Sequence, residues 1–333
     1  MIASRIIVLL IMMSFTIAGL AQDAEATEEV EENLGEDLTI AYLRELEIVG
    51  SEVVFEQELN KASNYSQYIV SYLSQGLRIR GLLTVPFGIA PEGGFKAIIF
   101  NHGYIPPSTY RTTERYVDYV RVLAEAGFVV FKIDMRGHGT SEGESDGSYF
   151  SPGYTIDAIS ALKSLQTLDF VDPDGIGMWG HSMSGNLVLR AMLIEPDIKA
   201  GVIWAGAVYS YDDFVKYSIT DISFNPSAST STRPISRGRQ LREAYGPIDT
   251  EQPYWQSVSL TEHIEYLESP LQLHHAINDA TVNIGYSYDL ANVLAENDKE
   301  YEIFAYQTGD HNISAPSFNE AMRRTVIFFR QNL

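Results

Sequence analysis

The chain contains no cysteine in 333 residues. That excludes disulfides, thiolate catalysis and a lipid-modified N-terminal cysteine, and with them any small disulfide-stapled scaffold. A chain of this length must instead hold itself together through an apolar core. Positive charge is also scarce. Lys and Arg number 23 against 44 Asp and Glu, a net charge of −21. So acidic a chain argues against nucleic-acid partners, because phosphate contacts need Lys and Arg. Beyond the first twenty or so residues no apolar run is long enough for a transmembrane helix. No internal repeat and no long low-complexity linker follows residue 37.

What is present begins with "MIASRIIVLLIMMSFTIAGLAQDAEA", in which Arg5 precedes an apolar run from Ile6 to Ala18 and small residues at Gly19 and Ala21. Residues 1–21 therefore read as a cleaved secretory signal peptide, which predicts a secreted or periplasmic protein with no stable membrane insertion after cleavage. An uncleaved anchor is the alternative, and the run is short for one. Residues 22–37, "QDAEATEEVEENLGED", read as an acidic, disordered leader. Residues 38–333 are then expected to form one domain.

Within it, "LTIAYLRELEI" (38–48) has helical spacing, and "QYIVSYLS" (67–74) and "LRIRGLLTVP" (77–86) predict an antiparallel hairpin turning at Gln75-Gly76. From there short apolar strands alternate with helices. The strands are 96–103, 128–134, 175–182, 201–208, 271–277 and 301–307. The helices are 112–127, 154–168, 185–194, 285–297 and 317–333. This alternation predicts an α/β fold, a mostly parallel doubly wound sheet with helices on both faces. Residues 209–268, rich in Tyr, Ser, Arg and Pro, interrupt the rhythm as an inserted cap. Loops at the carboxyl edge of such a sheet are where ligands bind.

The stretch "GMWGHSMSGN" (177–186) places Ser182 between a short strand and a helix, the setting of a nucleophile elbow. Gly180 suits the tight turn. Ser184 stands where a second glycine is usual, and Ser184 as the nucleophile is disfavoured because Ser182, not glycine, lies two before it. A phosphate-binding loop is the rival reading, but no lysine follows. Of seven histidines, His311 in "TGDHNIS" comes directly after the last strand, at the same sheet edge. His274 and His275 lie inside a strand and look structural, and His181 is expected to point away. Asp279, just past the strand "LQLHHAI", can fix the imidazole tautomer. Asp310 is its rival, more naturally a solvated charge. The oxyanion hole is expected from the backbone N–H groups of Met183 and Tyr104. Arg136 and His138, in "DMRGHGTSEG" (134–143), read as loop-fixing. The adjacent histidines of "LHHA" face opposite sides of a strand, so no metal site is expected, and no cofactor.

Together "NHGY", "DMRGHGTSEG", "GMWGHSMSGN", "SPLQLHHAINDATV" and "GDHNIS" resemble the α/β-hydrolase catalytic domain of the prolyl oligopeptidase family and similar dienelactone-hydrolase-like enzymes, over roughly residues 65–333. The resemblance implies an α/β-hydrolase fold, Ser182, Asp279 and His311 as a triad, and Tyr104 and Met183 at the oxyanion hole. Two departures are Ser184 in place of glycine and Ala276 where the strand end often reads His-Gly. Full prolyl oligopeptidases carry a β-propeller, and the residues ahead of the resemblance are too few to build one. The expected protein is an exported serine hydrolase acting on a small ester or short peptide. Whether the bond is ester or amide stays open, and a catalytically silent binding protein of the same fold is the remaining alternative.

Overall fold

The computed structural model describes residues 34–145, 147–218 and 236–333. Nine strands form one sheet: β1 (Val54–Glu58), β2 (Tyr65–Ser74), β3 (Leu77–Pro86), β4 (Phe95–Asn101), β5 (Val129–Ile133), β6 (Val171–His181), β7 (Gly201–Trp204), β8 (Leu271–Ala276) and β9 (Tyr301–Tyr306), in the order β1-β2-β3-β5-β4-β6-β7-β8-β9. The first three run antiparallel, β3 meets β5 antiparallel, and every pair from β5 to β9 is parallel. The hairpin closes with Ser74 opposite Leu77, as the alternation of its strands predicts.

Helices cover both faces. On one side lie α3 (Gly153–Leu165), α4 (Met183–Ile194) and α8 (Gly285–Glu296); on the other lie α2 (Val117–Glu125) and α9 (Phe318–Asn332). The pleat divides the sheet between them. Ile99, Phe131, Met178, Ile203 and Leu273 join the first cluster, while Ile98, Phe100, Val130, Trp179 and Val202 join the second. Each such side chain contributes about 1.5–3 kcal/mol by leaving water. The sheet is thereby a rigid platform, and its carboxyl edge can carry loops that need not be stable alone.

Some elements differ from the expectation. Strand β1 has no sequence signal, because all five of its residues are exposed and the edge carries a bulge at Phe55 and Gln57. The strand expected over 201–208 stops at Trp204, where Ala205 turns into the left-handed region (φ 47°). The helix expected from residue 112 begins only at Val117, because Arg115 and Tyr116 are also left-handed, at φ 55° and 54°.

Residues 1–21, expected to be a signal peptide, and residues 22–33 of the expected leader lie outside the described residues. Residues 34–37, expected to be disordered, instead belong to the folded body. Leu34 packs on the first cluster, Asp37 pairs with Arg237, and a short 3-10 turn (Glu36–Leu38) leads into α1 (Ile40–Glu45), capped by Thr39 Oγ1 accepting from Tyr42 N–H at 3.2 Å. The acidic composition hid the apolar anchors Leu34 and Leu38.

The insertion between β7 and β8 holds α5 (Tyr211–Tyr217), α6 (Arg237–Tyr245), α7 (Pro253–Val258) and a 3-10 helix (Leu260–Tyr266), while 219–235 lie outside the described residues. Its side chains Leu241, Trp255, Val258, Leu260 and Ile264 are buried in the same cluster as Leu187 and Leu189 of α4.

Candidate active site

Ser182 sits at the junction of β6 and α4 with φ 55° and ψ −118°, a conformation that costs a non-glycine residue about 1–3 kcal/mol and persists only where the surroundings enforce it. The enforcement is visible. The Ser182 N–H donates to the Trp204 carbonyl at 2.9 Å, and the Ser182 carbonyl accepts from Gly185 at 2.9 Å. A Cβ at Gly180 would come within 2.5 Å of the Ser184 carbonyl oxygen, so the strand can approach the helix only as glycine. The serine that stands in place of the second glycine gains a reason of its own. Ser184 Oγ donates to the His102 carbonyl at 2.6 Å, fully buried, and so ties α4 to the loop after β4. Ser184 is spent on that bond.

The loop after β9 brings His311 to Ser182, with Nε2 2.9 Å from Oγ. Its Nδ1 lies 2.8 Å from Asp279 Oδ2, on the turn after β8. Asp279 in turn accepts at Oδ1 from the Thr281 and Val282 N–H groups at 2.8 and 2.9 Å. Burial would raise its pKa, but hydrogen bonds from His275 and His311, the His311 charge and the Val282 N–H hold the carboxyl well below the usual range. It is therefore ionised at neutral pH. Asp310, the rival, is exposed and accepts from Asn278 at 2.8 Å instead.

A cavity of about 500 Å³ opens above Ser182, lined by Gly103 to Pro106, Thr109, Arg115, Tyr116, Tyr119, His181, His311, Asn312 and Ser314. Tyr104 is thus on the wall beside Ser182. Met183 is the first residue of α4, whose leading N–H groups have no acceptor within the helix. Of the two expected oxyanion donors, Tyr104 borders the cavity, while Met183 is buried directly after the cavity-lining Ser182. No described residue of 209–268 lines the cavity; among the described aromatic residues there, Tyr209, Tyr211 and Trp255 are buried core, and Phe214, Tyr217, Tyr245 and Tyr254 pack against that core. Arg136 and His138 do not line the cavity either. Arg136 forms a forked pair with the fully buried Asp157, Nη2 to Oδ1 at 2.8 Å, and His138 Nε2 lies 3.3 Å from the Ile105 carbonyl.

Three groups at the site escaped the sequence. His275 Nε2 is 3.0 Å from the Val282 carbonyl and 3.3 Å from Asp279 Oδ2, so its N–H helps hold the acid. Its place inside a strand gave no hint of this. His181, expected to point away, turns from Ser182 but packs its ring 4.6 Å from that of His311 and bonds the His311 carbonyl. Tyr116 reaches His181 at 2.7 Å, and nothing in its helical spacing marks it. His274 faces the opposite side, toward Tyr306 and Gln272. Among the described residues no cluster of three metal-binding side chains exists.

An alcohol, an imidazole and a carboxylate in line, beside backbone donors, can form and hydrolyse an acyl ester. Known proteins fit that chemistry. An uncharacterized peptidase of Bacillus subtilis (strain 168), YtmA, is 27% identical over 267 residues, 80% of this chain and 93% of that protein. The acetyl xylan esterase of Paenibacillus sp. R4 superposes with a TM-score of 0.62 at 19% identity, covering 90% of this chain and 95% of its own. The Pyrococcus horikoshii acylaminoacyl peptidase superposes at 0.63 with 21% identity, covering 82% of this chain but 43% of its own. These two structures share the α/β-hydrolase fold. Residues 116–333, more than half of the chain, match the prolyl oligopeptidase family, and the chain belongs to that family as a serine hydrolase.

Proposed function

We propose that the protein is an exported, carboxylesterase-like acyl hydrolase in which Ser182 is the nucleophile, His311 the general base and acid, and Asp279 the group that orients it. The observation that carries this reading is the unbroken line from Ser182 Oγ to His311 Nε2 at 2.9 Å and from His311 Nδ1 to Asp279 at 2.8 Å. Oγ attacks the substrate carbonyl carbon as its proton passes to Nε2. The charge that develops on the carbonyl oxygen is met by the N–H groups of Tyr104 and Met183, donors worth about 100- to 1000-fold in rate each. The same proton then goes to the leaving oxygen, the acyl-enzyme forms, and water reverses the sequence to release the acid. Asp279, ionised and fixed by two backbone N–H groups, stabilises the imidazolium without taking its proton.

The ester reading rests on the near end-to-end match to an acetyl xylan esterase and on a cavity whose wall mixes hydroxyl, amide and aromatic groups, as suits a small polar acyl ester. A peptidase of the prolyl oligopeptidase type is the second reading, favoured by YtmA, which the chain matches along 93% of its length. Export rests on Arg5, the apolar run that follows it and the small residues Gly19 and Ala21 after that run. Purified mature protein assayed on p-nitrophenyl esters and on aminoacyl p-nitroanilides separates the readings. Short-chain esters are expected to have the higher kcat/KM, and a preference for the anilides would establish the peptidase.

A further inference from the structure

Besides Asp279 after β8, the groups assigned to catalysis sit on three separate segments: 102–104 after β4, 182–183 after β6, and 311 after β9. Nothing covalent sets the first against the third. A single chain of hydrogen bonds does. The Gly103 N–H donates to Tyr116 Oη at 2.9 Å, Tyr116 Oη lies 2.7 Å from His181 Nδ1, and His181 Nε2 lies 2.8 Å from the His311 carbonyl. The proton positions follow. A carbonyl only accepts, so Nε2 carries hydrogen. Burial, then the neighbouring His311, holds the His181 pKa down to about 3, so the ring is neutral and Nδ1 accepts. Tyr116 must then donate its hydroxyl to His181 while accepting from Gly103. Every member is satisfied in one direction only.

The fit around this chain is close. A Cβ at Gly103 would come within 2.8 Å of Tyr116 Oη, 3.0 Å of His181 Nδ1 and 3.2 Å of Ser182 Cβ. Tyr116 is held left-handed together with Arg115, and the buried Lys132 ammonium clamps the preceding turn through the carbonyls of Glu114 at 2.9 Å and Arg115 at 3.2 Å. One helical turn on, Tyr119 donates to the Asn312 carbonyl at 2.7 Å, a second tie from α2 to the same loop. Strained backbone maintained by a buried cation is what a preorganised site requires.

We infer that Tyr116 and His181 are positioning residues that fix the oxyanion loop and the His311 loop against each other across Ser182. The inference rests on the assignment of Ser182 as nucleophile. Gly103 precedes the Tyr104 donor, and the His311 carbonyl belongs to the residue whose ring must meet Oγ, so slack in the chain misplaces both. A shift of about 1 Å at such groups costs on the order of 100-fold.

The test is turnover per active site, counted by fluorophosphonate titration of Ser182, with KM and Tm measured on the same samples. Tyr116→Phe removes the one hydroxyl that serves both neighbours. It is expected to lower kcat per titrated site by about 10- to 100-fold with KM near that of the wild type, the pattern of an interaction made in the transition state. His181→Gln can keep an amide N–H donor for the His311 carbonyl but has no acceptor at the Nδ1 position that faces Tyr116, and it is expected to fall by less. The double variant is expected to be faster than the product of the two losses, because both break one chain. Wild-type kcat per titrated site in Tyr116→Phe, or a rate loss fully matched by lost titratable sites, overturns the inference. Should Tyr116→Phe not fold, His181→Gln is judged by the same criterion. A Ser182 that takes no label in the wild type is a different result, and it removes the nucleophile assignment and this chain with it.

Discussion

The loops around Ser182 and the insertion between β7 and β8 are both rich in aromatic side chains, yet they use them differently. Tyr104, Tyr116 and Tyr119 border the cavity, and the last two direct their hydroxyls at the loop that carries His311 or its partner. Tyr209, Tyr211 and Trp255 of the insertion are fully buried, with Tyr211 packed 5.3 Å from Trp255 and both in the cluster under α4. Composition alone cannot tell these roles apart. What separates them is whether the hydroxyl has somewhere specific to go at the sheet's carboxyl edge. The first region should set chemistry and choice of substrate, the second stability.

The sharpest division comes from Ser182→Ala, which should lower kcat by about a million-fold while Tm stays at or above that of the wild type, since a strained polar nucleophile is removed. Asp279→Asn is expected to cost on the order of 10,000-fold through loss of the correct tautomer of His311, and to add nothing to Ser182→Ala. Tyr104→Ala keeps its backbone donor but opens the wall. It should shift the ratio of kcat/KM between short and bulky acyl esters by about 10- to 200-fold, with little change in Tm. Trp255→Ala should do the reverse, losing about 3–5 kcal/mol of stability by calorimetry or denaturant titration while leaving the substrate ranking intact. A changed ranking in Trp255→Ala would return the insertion to the wall of the site.

Acid should expose the buried histidines. Burial, with like charge nearby, lowers the pKa of both His181 and His274 to about 3. The unfolded chain takes up their protons below about pH 6.5, whereas the folded chain does not until about pH 3. Stability should therefore fall as pH drops through that window, with a slope approaching about 1.4 kcal/mol per pH unit for each such histidine. Thermal melts between pH 7 and pH 4 check the sign.

The contrast also marks what the sequence made legible. The convergence of Ser182, His311 and Asp279 was legible because each follows an apolar strand, and strand ends of a parallel sheet converge on one edge. The hairpin and the parallel strands were legible for the same reason. Strand β1 was not, since an edge exposed on both faces leaves no alternation. Nor were the groups packed around these three. Tyr116 and His181 meet across 65 residues of sequence, and His275 reaches Asp279 only because the turn after β8 folds back on its own strand. Their roles depend on side-chain direction, which periodicity reports poorly when the backbone is left-handed at Arg115 and Tyr116. Aromatic content in the insertion signals burial before it signals binding, and Tyr209, Tyr211 and Trp255 are buried there.

The central claim is that Ser182 alone is the activated nucleophile. Labelling the intact protein with a fluorophosphonate, followed by peptide mapping, tests it directly. The account requires one adduct, on Ser182, formed fast in the wild type and suppressed in His311→Ala. An adduct on Ser184 or any other serine, or none in protein that still turns over ester, would contradict it.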